Sequence, residues 1–300
     1  MIILRAPGCT YDRKPGRGCS YCGFRHLTTN GTKVSADDYV RQIKGALAAH
    51  ERGLLNIREL DLFNSGNFLN DAEVPGDARL AILNACASCA SVRLLMVESR
   101  PEFIWPESLA PMCEVIHSRR SDLAFEVGIG LDAYDDSIRE GHLGKGFSRA
   151  DFERAVAVLA DLGIGLLVYL MLKPCELSDG DALRDVVNGA EYIYHLAATM
   201  RLDARIALEP TFVVPETRLA EQYHAGEYTP PSLWLVRESA LRLAVMGPLT
   251  VGLWDEDLQP VAVPSSCGAC RGRLIEALQL FNLTQNVADL MIPSCACWQG

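Results

Sequence analysis

Cys9, Cys19 and Cys22 lie in one short run of the chain, separated by nine residues and then by two. Three thiolates can hold three irons of a cubic [4Fe–4S] cluster and leave the fourth iron without a protein ligand. A cluster with four cysteines carries electrons; one with three offers a Lewis-acid corner where a small molecule can chelate. Arg13, Lys14, Gly16, Arg17 and Gly18 fall between the first two cysteines. Glycines let backbone N–H groups approach sulfides, and cations offset a cluster's negative charge. The alternative for the same trio is a zinc site completed by a residue such as His26.

A second group stands near the other end: Cys267-Gly-Ala-Cys270, then twenty-four residues, then Cys295-Ala-Cys297. Two close pairs bring four thiolates together once the intervening helix folds back. Zinc needs only tetrahedral closure and tolerates the Cys-x-Cys spacing, whereas an auxiliary Fe–S cluster would imply electron transfer or substrate ligation. Of the eleven cysteines, Cys86, Cys89, Cys113 and Cys175 remain. Cys86 and Cys89 close a small-residue helical stretch and read as a buried structural pair.

These groups need a frame. Apolar β-rich runs at Ile2–Arg5, Glu59–Phe63, Arg93–Val97, Leu123–Gly128, Gly165–Leu172 and Ala204–Leu208 alternate with helical runs near Ala36–Ala49, Ala78–Cys89, Glu107–His117, Arg149–Leu162 and Asp181–Thr199. Such alternation predicts an α/β fold with a parallel sheet, here a partial (β/α)6 TIM-like barrel with a small C-terminal cysteine-rich extension. Pro230-Pro231 opens a further predicted helix, and Leu249–Leu253 is a possible extra strand. The expected domain division is 1–254 for the barrel and 255–300 for a metal-binding tail with four cysteines. Trp298 and the apolar stretch Leu283–Ile292 are expected to pack that tail onto the barrel.

The 300 residues are 49% hydrophobic and carry a net charge of −10. The charge argues against a nucleic-acid binder, since polyphosphates ask for basic surface. No stretch approaches ~18 uninterrupted apolar residues, and Met1–Arg5 is too short for a signal-peptide core. A cytoplasmic protein without membrane contact is expected, and in that compartment the cysteines are not a disulfide framework.

Functional loops in a parallel barrel sit at the C-terminal ends of the strands. There the chain places Asn64-Ser-Gly-Asn-Phe-Leu-Asn70, Glu98-Ser-Arg-Pro-Glu102, Gly128-Ile-Gly-Leu-Asp132 with His142-Leu-Gly-Lys-Gly-Phe147, and Tyr169-Leu-Met-Leu-Lys-Pro174. Arg100 reads equally as an ion-pair partner, and Glu126 as a ligand of substrate or of a cation.

With these residues the chain resembles the radical S-adenosylmethionine (SAM) superfamily. Tyr21 takes the family's aromatic position before the last cysteine, although the nine-residue first gap departs from the common CxxxCxxC. Longer gaps occur in the subgroup of elongator-type and coproporphyrinogen-oxidase-like enzymes. Glu126–Pro174, Arg5–Cys22 and Glu209-Pro-Thr211 look most like the archaeosine-synthesis radical SAM lyases, which also carry late paired cysteines.

The resemblance implies a [4Fe–4S] cluster on Cys9, Cys19 and Cys22, with SAM chelating its open iron. Reductive cleavage of SAM would yield a 5′-deoxyadenosyl radical that abstracts hydrogen from substrate. By the same resemblance Asp132 holds the ribose hydroxyls, Lys145 the methionyl carboxylate, and Gly66 meets the methionyl amine. Glu98 matches a third-strand Glu-x-x-Pro pattern, while Tyr21, Tyr169 and Met171 border the nucleoside. Ferredoxin or flavodoxin is the implied reductant. C–N cleavage or rearrangement is the implied reaction, with a small-molecule substrate favoured by the acidic chain and a tRNA-borne base as the alternative. A non-catalytic iron- or zinc-binding protein is the rival from another class.

Overall fold

Seven parallel strands follow one another in chain order: β1 (Ile2–Ile3), β2 (Glu59–Phe63), β3 (Leu94–Glu98), β4 (Ala124–Asp132), β5 (Gly165–Leu172), β6 (Ala204–Pro210) and β7 (Leu249–Val251). They belong to a computed structural model that describes residues 1–51, 57–253 and 258–298. Helices α1 (Ala36–Glu51), α2 (Gly76–Ala87), α3 (Pro106–Arg119), α4 (Arg149–Asp161), α5 (Asp179–Met200), α6 (Arg218–His224) and α7 (Leu233–Ala244) connect them, and α8 (Arg271–Thr284) follows β7. The six expected strands are all present, and Leu249–Val251 adds the seventh. The sheet curls into a half-barrel whose ends, β1 and β7, do not pair. The expected boundary between residues 254 and 255 lies outside the described residues.

β5 shows how the pattern works. Leu166, Val168, Leu170 and Leu172 are at most 1% exposed and join the core under the helices. The alternate residues Leu167 and Tyr169 face the lumen, where Leu167 packs with Met96, Ala207 and Phe63. Period-2 alternation thus assigns one set to the core and the other to the site. Helix starts are fixed locally: Ser148 and Asp151 form a capping box on α4, and Ser178 accepts from the Asp181 N–H on α5. The helix expected at Pro230-Pro231 begins later, because Ser232 takes the cap position and accepts from the Leu235 N–H. Cys86 and Cys89 are buried in the main core, as expected.

The closed end of the lumen carries Glu59, Asp61, Glu126 and Arg205. Arg205 bridges Glu126 (2.8 Å) and Glu59, so Glu126 is a cation partner. Burial, with the neighbouring Glu59 carboxylate, pushes Asp61 up to about 6, and its Oδ1 has no hydrogen-bond partner. The folded chain therefore retains a proton that the unfolded chain releases, and stability falls as pH rises from about 4 to about 6. Asp61→Asn is expected to stabilise the protein by about 1–3 kcal/mol at about pH 7.5 and to change little at about pH 3, read from urea midpoints.

The far edge of the sheet is closed by a side chain. Asn282 of α8 accepts from the Val251 N–H (2.9 Å) and donates to the Val251 carbonyl (2.8 Å), as a neighbouring strand would. Leu278 and Phe281 of α8 and Leu290 beyond it are buried in the core, whereas Leu283 is 85% exposed and does not join the expected packing. Among the described residues no helix is long and apolar enough to cross a membrane.

Candidate active site

The loop after β1 lies along the loop after β2: Leu4 N–H donates to the Phe63 carbonyl (2.7 Å) and Cys9 N–H to the Ser65 carbonyl (3.2 Å). It then doubles back to the loop after β4, where Ser20 N–H donates to the Leu143 carbonyl (3.0 Å) and the Tyr11 hydroxyl to the Gly144 carbonyl (2.7 Å). Gly18 adopts φ +107, and a Cβ there would collide with Asp12 Oδ1, so this turn needs glycine. The long first gap between cysteines is thus a folded loop tied to two strand ends.

Cys9, Cys19 and Cys22 all border one cavity at the C-terminal mouth of the half-barrel. Burial raises the pKa of all three thiols, while Lys145 and Arg100 act on Cys19 in the opposite direction. Three half-buried thiols sharing a cavity ionise together more readily beside added positive charge, which an iron centre would supply. Sulfurs on one tetrahedral zinc are about 3.8 Å apart. Among the described residues the trio, with or without His26, is not a group whose ligand atoms lie within 4.8 Å of one another, as those on a single ion would be.

All seven residues expected to contact SAM border this same cavity: Tyr21, Gly66, Glu98, Asp132, Lys145, Tyr169 and Met171. Asp132 ends β4 at a bulge with φ +66 and is 3% exposed. It accepts from the Tyr21 hydroxyl and pairs with Lys145 Nζ at 2.7 Å. The two residues that the resemblance gives separate duties are therefore each other's partner. Burial works against the Lys145 charge, but Asp132 and Cys19 outweigh it and raise its pKa. Gly130 makes room: a Cβ there would lie 2.8 Å from Asp132 Oδ1 and 3.1 Å from Lys145 Nζ. Deeper in the lumen, burial and the charges of Glu98 and Glu209 hold the Tyr169 phenol well above its ordinary range.

Arg100 makes the ion pair that was one of its expected readings, and two further participants, Asn67 and Glu73, escaped the sequence reading. Arg100 stacks on the Tyr11 ring at 4.0 Å, pairs with Glu102 and donates to the Lys145 carbonyl (2.7 Å). Asn67 donates towards Cys9 Sγ (3.6 Å) and accepts from Arg100 N–H (3.0 Å). Glu73, 1% exposed, accepts from the Thr10 N–H and from Asn67 and Asn70. A lone carboxylate closing an Asn- and Gly-rich turn was the one available signal for Glu73.

The late cysteines form a separate centre. Cys267, Cys270, Cys295 and Cys297 hold their sulfurs within 4.8 Å of one another, with neighbouring distances of 3.4–3.5 Å. Cys270 opens α8 and packs with Leu233 and Trp234 of α7, and Trp298 stacks on Trp234 with centroids 5.9 Å apart. A backbone hydrogen bond from Cys267 pulls the Cys297 thiol down to about 6.

No family model matches the chain. It is 30% identical over 301 residues to archaeosine synthase subunit beta of Methanosarcina acetivorans, a match covering 99% of this chain and 82% of that protein. The protein of the same name from Thermococcus kodakarensis is 28% identical, with 98% and 88% covered. Among solved structures, Elp3 of Methanocaldococcus infernus superposes with a TM-score of 0.58 at 16% identity, covering 81% of this chain and 58% of that one. Methylornithine synthase (PylB) gives 0.50 at 11%, covering 87% and 73%; both likenesses concern the fold. The cysteine trio at the barrel mouth and the match along nearly the whole sequence together place this chain in the archaeosine synthase subunit beta family of radical SAM enzymes.

Proposed function

We propose that this radical SAM enzyme acts as a lyase on a modified base carried by tRNA, breaking a C–N bond as the archaeosine-type resemblance implies. The observation that carries the reading is the convergence of Cys9, Cys19 and Cys22 with all seven expected SAM neighbours on one cavity, in a chain matched over 99% of its length. A cluster and SAM bound there supply one-electron cleavage of a sulfonium and hydrogen abstraction from an unactivated carbon. The chain's own residues do the rest. Tyr21 and Lys145 hold Asp132 towards the ribose, Lys145 presents an ammonium to the methionyl carboxylate, and Gly66 leaves the methionyl amine room. Glu98, Tyr169 and Met171 line the same cavity, where a site closed to water would protect a radical.

Local charge favours tRNA despite the overall acidity. Residues 1–35 carry six Lys or Arg against one Asp, a net +5 in a chain of −10. Arg5, Arg13, Lys14, Arg17, Arg25 and Lys33 are all exposed, and this segment forms one rim of the mouth. Such a localised basic rim can seat the phosphates beside a flipped-out base. The net charge keeps a free small molecule as the second reading. The C-terminal quartet is assigned to structural zinc, because its sulfur spacing matches one tetrahedral ion better than a cluster whose thiolates sit on separate irons. Residues 1–254 would then be the catalytic unit and 255–300 its metal-bound extension, with ferredoxin or flavodoxin as electron donor.

Anaerobically loaded protein is expected to hold about four irons and about one zinc per chain. It should release 5′-deoxyadenosine under reduction, faster with tRNA bearing a lysine-modified deazaguanine, the base that the archaeosine-type resemblance implies, than with the free nucleoside. Arg13→Glu with Arg17→Glu should weaken tRNA binding in a gel-shift assay and flatten its salt dependence. Equal stimulation by the free nucleoside would favour the small-molecule reading. Iron uptake without SAM cleavage would end the enzyme reading, and about eight irons would replace the zinc by a second cluster.

A further inference from the structure

Glu73 lies in the turn before α2 with 1% exposure, and among the described residues it makes no ion pair. Its Oε1 accepts from the Thr10 N–H (2.8 Å), Asn67 Nδ2 (2.8 Å) and Asn70 Nδ2 (2.9 Å), and its Oε2 accepts from the Asn67 N–H. Each of these bonds is accepted and each donor is neutral, the pattern that suits an ionised carboxylate. A buried charge without a counter-ion is costly unless its surroundings satisfy it fully. Here they do, and the donors come from two loops. Thr10 follows the first cysteine, and Asn67 follows Gly66, where a Cβ would collide with Glu73 Oε2 and lie 3.0 Å from the Cys9 nitrogen. Asn67 extends the connection, touching Cys9 Sγ at 3.6 Å with the same amide that binds Glu73.

We infer that Glu73 is a positioning residue of the radical SAM site: its single buried charge locks the Cys9 loop to the Gly66–Asn67 turn and sets a negative potential on the Cys9 side of the cluster. The inference rests on the reading that the trio binds a cluster. Its two parts separate by substitution. Glu73→Gln can keep the three bonds at one oxygen, but its NH2 then faces the Asn67 N–H, donor against donor, and the charge is gone. Glu73→Asp keeps the charge on a shorter arm.

The test is a redox titration of the loaded full chain, with SAM kinetics alongside. Glu73→Gln is expected to move the cluster's midpoint potential to more positive values and to raise KM for SAM about tenfold with a smaller change in kcat. Glu73→Asp should raise KM while holding the parent potential. A parent potential and parent KM in Glu73→Gln, at normal iron content, would overturn the inference. So would an equal potential shift in both variants, because charge would then not be its source. If Glu73→Gln does not retain iron, a shifted potential in Glu73→Asp overturns it. Failure of the parent chain to bind iron at the trio would overturn the cluster reading itself.

Discussion

Cys9→Ala is expected to reduce reductive cleavage of SAM to background. Cys9 is one of three thiols on the cavity, and a cluster left with two protein ligands loses the defined open corner at which a small molecule chelates. Among the described residues no fourth cysteine borders the cavity. His26 is turned to Glu216 at 4.0 Å, and among the described residues the only other tight thiol group is the C-terminal quartet. The loss would not come from misfolding, since Cys9 is only half-buried and its backbone N–H bond to Ser65 survives the substitution. Measurement of 5′-deoxyadenosine after anaerobic reconstitution checks this, with Cys113→Ala as the control. Cys113 lies on α3 and does not border the cavity, so that variant should keep the parent rate. Cleavage surviving in Cys9→Ala would remove the trio from the chemistry.

Lys145→Ala is expected to cost about 3–5 kcal/mol of stability in the ligand-free chain, because it strands a buried carboxylate. Lys145 and Asp132 are 7% and 3% exposed and 2.7 Å apart, so solvent screens little of the loss. The Tyr21 hydroxyl remains as a donor to Asp132 but brings no charge. The double variant Asp132→Asn with Lys145→Met should recover much of the stability, since an Asn tolerates the left-handed φ at 132 and no lone charge remains. It should nevertheless bind SAM at least about tenfold more weakly. Chemical denaturation and SAM titration of the three variants separate the structural role of the pair from its ligand role. SAM affinity unchanged in the double variant would assign both residues to the scaffold alone.

The frame was legible because its signals are local. Apolar β-rich runs placed every one of the first six strands, and the helical runs expected near Arg149–Leu162 and Asp181–Thr199 fall on α4 and α5. The trio was legible because three cysteines after a first strand have few competing explanations. What escaped depends on through-space partners. The pairing of Asp132 with Lys145 joins residues brought together by a bulge and two left-handed glycines, Gly144 and Gly146. Glu73 is one of 38 acidic residues, and its enclosure, shared with Asp132 and Asp185, shows only in the fold. The late start of α7 came down to a serine cap outweighing two prolines. Leu283 looked like packing surface because an apolar run says nothing about which side of a one-turn step it takes.

Asn282 has a consequence for how the molecule lives among its own copies. An unpaired strand rim invites a neighbouring chain to add itself, and a run of such additions makes a fibre. The amide of Asn282 occupies the place where the first added chain would bond to Val251, and it is delivered by the helix that Cys270 begins. With the zinc proposed above in place, the thiol centre, far in sequence from the reacting cavity, would guard against self-association: stripping that ion would loosen the helix, bare the rim and turn a metal deficiency into clumping.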